Sequence, residues 1–143
     1  MATVILLRHG KSAYPDKVAD HDRPLAPRGV RQAKLAGKAI RRYGHAVDLV
    51  LCSTAERARA TLAHAAVGAP VKFLDDLYGA SGEQILAIVD AERGDAQTVL
   101  VVGHEPGVAD AAHLLDPTFT LAKFPTSAFA VVKEGQAELH IPR

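Results

Sequence analysis

Short apolar blocks alternate along this chain with segments of helical periodicity, and this alternation constrains the fold more than any other feature. The pattern predicts strands at Thr3–Arg8, Val47–Cys52, Val71–Leu74 and Thr98–Val102, and helices at Pro27–Tyr43, Thr54–Ala66, Gly82–Glu92 and Pro106–Leu115. Two further strands are predicted in the tail, around the turn at Glu134 and Gly135. The fold class that follows is a three-layer α/β/α sandwich with a mostly parallel central sheet and a C-terminal edge hairpin.

Size and composition limit the classes of protein to be considered. We expect a single domain over residues 1–143, because the chain has 143 residues, 48% of them of hydrophobic type. A formal net charge of +1 predicts no binding to nucleic acid or to an anionic membrane surface. The single cysteine permits no intramolecular disulfide, which favours the cytoplasm. The apolar run at the N-terminus is too short for a signal peptide, and no stretch approaches the ~20 apolar residues of a membrane span.

Polar and charged residues stand where the predicted strands end. The four strand ends read Arg8-His9-Gly10, Cys52-Ser53 with Arg57 one helical turn further on, Asp75-Asp76, and Gly103-His104-Glu105. In parallel α/β sheets, ligands bind beyond the carboxyl ends of the strands. Two arginines and two histidines are therefore expected to converge at one edge of the sheet.

Phosphate is the ligand that this combination of side chains suits best. Arginine guanidinium groups match phosphate oxygens with two parallel hydrogen bonds. A neutral imidazole can attack phosphorus, and a protonated one can donate to a phosphoryl oxygen. Gly10 would allow a sharp turn and a close approach of the backbone to an anion.

Four segments resemble the motifs of the histidine phosphatase superfamily, which has the phosphoglycerate-mutase-like fold. "LLRHGKS" is similar to its Arg-His-Gly signature, "CSTAERARAT" to the segment with the second arginine, "VVGHEPG" to the strand end with the second histidine, and "DRPLAPRGVRQA" to the segment before the first helix. The resemblance runs in order from residue 3 to about residue 115. The chain most resembles the short branch, the phosphohistidine phosphatases of the SixA type.

The resemblance implies a role for each residue of a catalytic tetrad. His9 would be the nucleophile that becomes phosphorylated, Arg8 and Arg57 would clamp the phosphoryl group, and His104 would stabilise its developing charge. Arg23 would bind substrate at the mouth of the pocket. The family reaction is a double displacement that needs no metal and no cofactor: the substrate phosphoryl group passes to the histidine and then to water.

The chain departs from the larger members of the family in two places. Their proton-donating glutamate aligns with Gly79, and Asp76, Glu83 and Glu105 remain open as substitutes, as does the absence of any donor. Pro15 stands where mutases have an asparagine, and no insertion is long enough for their substrate lid. A mutase is therefore the less favoured enzyme.

Several residues have a simpler structural interpretation. The other histidines, at positions 21, 45, 64, 113 and 140, are expected to be surface or packing residues. Arg59 lies ~200° from Arg57 around a helix, so only one of the two can face the pocket, and the family spacing favours Arg57. Ser53 and Glu56 have the spacing of a helix capping box. Val108 stands where a zinc-protease motif would need its second histidine, which argues against a metal site.

Three other functions stand beside a phosphohistidine phosphatase. A cysteine phosphatase would use Cys52, but that class separates cysteine and arginine by five residues, and the position so defined is Ala58. A non-catalytic phosphate-binding module would retain the tetrad without turnover, or the enzyme could be a small-molecule phosphomonoesterase. We predict a phosphatase that uses His9 and acts on a phosphohistidine protein or on a small phosphorylated molecule. The sequence fixes neither the physiological substrate nor the oligomeric state.

Overall fold

A computed structural model describes residues 2–42, 46–120 and 123–142 of the chain. Ten regular elements form its framework: β1 (Thr3–Arg8), α1 (Pro27–Arg42), β2 (Leu49–Ser53), α2 (Glu56–Ala65), β3 (Val71–Leu74), α3 (Gly82–Glu92), β4 (Thr98–Gly103), α4 (Gly107–Leu115), β5 (Phe129–Lys133) and β6 (Gln136–His140). Two short 3₁₀ turns lie at Asp20–Asp22 and Asp75–Leu77. Both short turns come to lie beside the candidate site.

The six strands form one sheet in the order β3-β2-β4-β1-β5-β6. The first four strands along the chain pair in parallel, and β5 and β6 add an antiparallel hairpin at one edge. The predicted α/β sandwich with a mostly parallel sheet and a C-terminal edge hairpin is confirmed. In the β1–β4 pair, Arg8 lies opposite Gly103, so His9 and His104 leave neighbouring strands at the same level.

Both faces of the sheet are covered by helices. Alternate residues of β1 point to opposite faces, so Leu6 joins the cluster with α3 and α4, while Leu7 joins the cluster with α1 and α2. Because both faces are buried, the central strands have continuous apolar sequences rather than an alternating pattern. Among the described helices, none is long and apolar enough to cross a membrane.

The predicted boundaries differ from the observed ones at several helix and strand ends. β2 begins at Leu49, α2 begins at Glu56, and α4 begins at Gly107 with Pro106 as its N-cap. α1 extends to Arg42, and the predicted last residue, Tyr43, falls outside the described residues, as does His45.

The predicted capping box at Ser53 was wrong. Ala55 is the N-cap of α2 and makes no side-chain cap. The Ser53 hydroxyl accepts the N–H of Ala55 at 3.2 Å and also reaches His104, so it belongs to the site rather than to the helix end. The observed capping box joins Ser81 and Gln84 at the start of α3.

Candidate active site

The two histidines of the predicted tetrad lie next to each other at the carboxyl edge of the parallel strands. The ring centroids of His9 and His104 are 5.1 Å apart, with an interplanar angle of 57°. Each histidine is 8% exposed, and Arg57, from the first turn of α2, is 6% exposed. Burial in a shared pocket removes most of the solvent around these side chains, so their interactions with a bound anion are only weakly screened.

His9 is held in one tautomer by its neighbour. Its Nδ1–H donates to the carbonyl oxygen of Gly10 at 2.7 Å, and because a carbonyl only accepts, the Nε2 atom carries the free lone pair. Burial lowers the pKa of His9 to about 3, against the effect of the Gly10 hydrogen bond and assisted by the positive charges around it. His9 is therefore a neutral imidazole at physiological pH.

The turn after His9 depends on Gly10. A Cβ at this position would lie 2.7 Å from the carbonyl oxygen of Gly29, closer than real contacts allow. The N–H of Gly10 donates to the Thr61 hydroxyl at 2.9 Å, and that hydroxyl donates to the Arg57 carbonyl at 2.7 Å. Thr61 thereby connects the end of β1 to the helix that carries Arg57, and it fixes the position of His9 relative to Arg57.

His104 is oriented by Ser53. Its Nε2 lies 2.8 Å from the Ser53 hydroxyl oxygen, which already accepts the N–H of Ala55. The serine hydrogen can donate to Nε2, and in that arrangement the proton of the neutral ring lies on Nδ1. That Nδ1 atom is buried and has no hydrogen-bond partner among the described residues. Burial, with the nearby Arg57 charge, lowers the pKa of His104 to about 4.

Arg8 and Arg57 bring unused donors to the same pocket. Arg8 donates Nη1 to the carbonyl oxygen of Phe124 at 2.7 Å, and Arg57 donates Nη1 to the carbonyl oxygen of Asp20 at 2.7 Å. The Nε atoms of both arginines are buried without a partner in the described part of the chain. Each guanidinium has five N–H donors, so both retain donors for an anion.

Asp20 is a pocket residue that sequence reasoning did not select. Its carboxylate accepts from Arg57 Nη2 at 3.1 Å, from Arg23 Nε at 3.0 Å, and from the hydroxyl of Tyr78. These donors, the Tyr78 hydroxyl first, hold the pKa of Asp20 well below its usual range. A lone acidic residue in a loop produces no periodic signal. The only indication in the sequence is its position three residues before Arg23, a spacing that permits an ion pair.

Arg23 lies at the mouth of the pocket and reaches the tetrad through Asp20. Its guanidinium also donates Nη1 to the Ser12 hydroxyl at 2.8 Å and lies 4.1 Å from the centre of the Tyr14 ring. Tyr78 completes this rim, with edge contacts to His104 and His21 at 5.5 and 4.9 Å between ring centroids.

The other histidines that the structure describes have different surroundings. His21 also meets the Thr54 hydroxyl, at 3.0 Å from its Nε2, so it packs into the rim. His64 and His113 are exposed, and His140 stacks on Phe129. Arg59 is exposed and lies over the Phe73 ring at 5.4 Å, while Arg57 faces the pocket.

The three carboxylates considered as proton donors have different surroundings. Asp76 and Glu83 are exposed, and within the described residues neither forms a hydrogen bond or ion pair with the tetrad. Glu105 is half-buried, and its Oε1 accepts the N–H of Ala109 at 2.8 Å. Burial raises the pKa of Glu105 above its ordinary value. Among these three, Glu105 is the group whose surroundings favour a protonated carboxyl.

Cys52 does not have the properties of a nucleophile. It is buried in the sheet, and burial raises the pKa of its thiol to about 12. A thiol with such a pKa carries almost no thiolate at neutral pH. No group of three or more metal-ligating side chains occurs in residues 2–42, 46–120 and 123–142.

Comparison with known proteins agrees with the fold. Residues 4–85, more than half of the chain, match the family profile described as histidine phosphatase superfamily (branch 1). The chain belongs to the histidine phosphatase superfamily, as the sequence motifs predicted, and it is a phosphatase that works through a histidine.

Relatives of similar length are found among sequences and structures. An uncharacterised protein of Mycobacterium tuberculosis (strain CDC 1551 / Oshkosh) is 47% identical over 158 residues, covering 96% of this chain and 100% of the relative. A structure from Nakamurella multipartitia, provisionally named the phosphohistidine phosphatase SixA, is 38% identical, with a TM-score of 0.89 over 99% of this chain and 96% of that one. The protein histidine phosphatase SixA in complex with tungstate is 27% identical, with a TM-score of 0.82 over 96% of this chain and 94% of that one.

Proposed function

We propose that this phosphatase transfers a phosphoryl group from its substrate to Nε2 of His9 and then to water. In the first step the Nε2 lone pair forms a bond to phosphorus, while the bond to the leaving group breaks and its electron pair departs with that group. In the second step a water oxygen forms a bond to phosphorus, the Nε2–P bond breaks with its electron pair returning to Nε2, and the water gives a proton to solvent, which leaves inorganic phosphate and neutral His9.

The observation that carries this proposal is the hydrogen bond from His9 Nδ1 to the Gly10 carbonyl, at 2.7 Å. It leaves Nε2 unprotonated, and the depressed pKa of His9 keeps the ring neutral. A neutral and oriented imidazole needs no separate base to become a nucleophile. The same tautomer places the reactive nitrogen on the side of the ring opposite Gly10.

Charge on the transferring phosphoryl group would be stabilised by three cationic or polar donors. Arg8 and Arg57 retain guanidinium N–H groups, and His104 would present Nδ1–H from a buried atom that has no partner among the described residues. Donors that are already oriented before the reaction cost little reorganisation and usually supply the largest part of the rate enhancement. Arg23 would act at the pocket mouth, where it holds the Asp20 carboxylate.

The substrate class we propose is phosphohistidine in a protein, or a small phosphorylated molecule. The similarity to structures named as phosphohistidine phosphatases supports this choice, as does the tungstate in one of them, because tungstate is an oxyanion that resembles phosphate. We also propose a cytoplasmic location, which the single free cysteine, Cys52, supports.

The test compares wild-type protein with His9→Ala, and uses Cys52→Ser as the matched control. We expect His9→Ala to lose all turnover of p-nitrophenyl phosphate and of a phosphohistidine peptide, and Cys52→Ser to retain most of it. Arg8→Ala, Arg57→Ala and His104→Ala should each lower kcat by about 10²–10³. A phosphoenzyme trapped without acid should be stable in alkali and labile in acid. If His9→Ala retained turnover and Cys52→Ser lost it, Cys52 rather than His9 would be the nucleophile.

A further inference from the structure

A basic cavity of about 460 Å³ lies beside the tetrad. Its cationic lining consists of Arg8, Lys11, Arg28 and Lys123. Gln32 and Thr126 add neutral polar groups, and no carboxylate of the described residues lines it. The cavity therefore has a strongly positive lining in a chain whose formal net charge is only +1.

The charges of these four cations are little compensated by acidic side chains of the described residues, of which Glu105 interacts electrostatically with Arg8. Within the described residues, none of the four forms an ion pair, whereas Lys72 pairs with Glu92, and both Arg23 and Arg57 pair with Asp20. Arg8 binds a backbone carbonyl, and the Lys11 ammonium lies 5.6 Å from the Tyr14 ring. Four like charges around one concave space repel each other, and a bound anion would relieve that repulsion.

The cavity is adjacent to the nucleophile. Arg8 directly precedes His9 and is shared between the cavity and the tetrad. Lys11 follows His9 by two residues, a backbone span of at most ~7 Å. An anionic group in the cavity can therefore belong to the same molecule as the phosphoryl group on its way to His9.

We propose that this cavity is a second anion subsite, which binds a phosphate group that a small substrate carries in addition to the one transferred. The proposal rests on the proposed function of His9. Guanidinium and ammonium groups together are the side chains that phosphate binding uses most. The cavity volume lies within the ~300–1,000 Å³ of small-molecule sites, so it suits a compact group better than an extended protein segment. The subsite makes bisphosphorylated small molecules the preferred substrates.

The experiment measures binding of bisphosphonates by calorimetry. A series of linear bisphosphonates with one to five methylene groups is compared with alkyl monophosphonates of the same length, so that apolar contacts are matched. We expect the bisphosphonate of one linker length to bind at least about tenfold more tightly than the monophosphonate of the same length. Such a gain in affinity corresponds to one or two charge-assisted hydrogen bonds. The gain should shrink as the salt concentration rises.

Two double variants test whether the gain in bisphosphonate affinity comes from the cavity. Arg28→Gln/Lys123→Gln removes two exposed cavity cations that we assign no catalytic role, and it should abolish the gain while monophosphonate binding is kept. Lys34→Gln/Lys38→Gln removes the same charge from the exposed face of α1 and should keep the gain.

Two results would overturn the subsite: no linker length for which the bisphosphonate binds more tightly than its monophosphonate, or an equal loss of that gain in the α1 control. Turnover of p-nitrophenyl phosphate reports separately on the proposed function. Its absence in the wild type would reject the role of His9, while the calorimetry would still decide the subsite.

Discussion

Arg57 binds Asp20 through two hydrogen bonds, one from Nη1 to the backbone carbonyl at 2.7 Å and one from Nη2 to the carboxylate at 3.1 Å. The first bond orients the guanidinium, and the second places a negative charge where the phosphoryl group is proposed to bind. Because the Asp20 carboxylate stays ionised, a phosphoryl group that approaches Arg57 meets a competing anion. Asp20 should therefore weaken the binding of oxyanions, including the phosphate product.

Asp20→Asn should strengthen inhibition by phosphate and by tungstate. The substitution removes one negative charge and leaves the backbone carbonyl that holds Arg57. The side chain of Asp20 is 55% exposed, so the effect is that of a surface ion pair, ~0.2–1 kcal/mol or up to about fivefold in Ki. Asp22→Asn is the matched control, because Asp22 lies in the same turn without an arginine partner among the described residues. Weaker inhibition of Asp20→Asn would contradict this role.

Ser53→Ala should release the ring of His104. Without the serine hydroxyl, Nε2 loses its partner, and the proton is no longer held on Nδ1. We expect kcat to fall roughly two- to tenfold, the range of one neutral hydrogen bond, with KM changed less. ¹⁵N chemical shifts of His104 should show the change of tautomer.

Ser81→Ala is the control for this experiment. Ser81 caps α3, so its loss should lower stability by ~1 kcal/mol and leave kcat unchanged. A wild-type tautomer and a wild-type kcat in Ser53→Ala would show that another group orients His104.

Stability should fall as the pH drops from about 6.5 toward 4. His9 and His104 have pKa values of about 3 and about 4 in the folded protein, and a histidine in the unfolded chain has a pKa of ~6.5. Between these values the unfolded state binds more protons, so acid favours unfolding by up to ~1.4 kcal/mol per pH unit for each histidine. The free energy of unfolding, measured with urea between pH 4 and 6, should depend less steeply on pH in His9→Asn than in the wild type. The difference in slope should be about the contribution of one histidine, up to ~1.4 kcal/mol per pH unit. His64→Asn, at an exposed position, should keep the wild-type slope, and an unchanged slope in His9→Asn would reject the low pKa of His9.

Chelators should leave the rate unchanged. In the proposed mechanism, the guanidinium groups of Arg8 and Arg57 supply the positive charge that a divalent ion would otherwise provide. The measurement is kcat/KM after dialysis against EDTA, with added Mg²⁺ or Zn²⁺ as a second arm. Loss of activity in EDTA that a divalent ion restores would require a metal in the mechanism.

The convergence of the four strand ends follows from sequence alone, whereas the rim of the pocket does not. Strand ends can be predicted because buried parallel strands have continuous apolar runs, and the register then brings His9 and His104 together. The rim depends on Asp20 and Tyr78, which lie 58 positions apart and are joined by a side-chain contact that no periodicity encodes. Ser53 was interpreted as a helix cap because its spacing to Glu56 fits one, but tertiary contact with His104 determines its orientation.

The preferred leaving groups should be those that depart without a strong proton donor. A positioned general acid is worth about 10²–10⁴ in rate, and its value falls as the leaving group improves. Asp20 is held ionised by its three donors, so it is a poor acid at neutral pH. We therefore expect kcat/KM for a phosphohistidine peptide and for p-nitrophenyl phosphate to exceed that for glycerol phosphate by about that general-acid factor. The imidazole of phosphohistidine can take up a proton before the N–P bond breaks, and nitrophenolate departs unaided.

Glu105 is the residue that decides this prediction, because burial favours its protonated form while its Oε1 is engaged with the N–H of Ala109. Glu105→Gln should leave the kcat/KM for all three substrates nearly unchanged if no carboxyl group protonates the leaving group. Asp76→Asn, at an exposed position, is the control for a general loss of negative charge. Equal kcat/KM values for the three substrates in the wild type would contradict the prediction. If Glu105→Gln then removed only the glycerol phosphate activity, the proton donor would be Glu105, and the enzyme would be a general phosphomonoesterase.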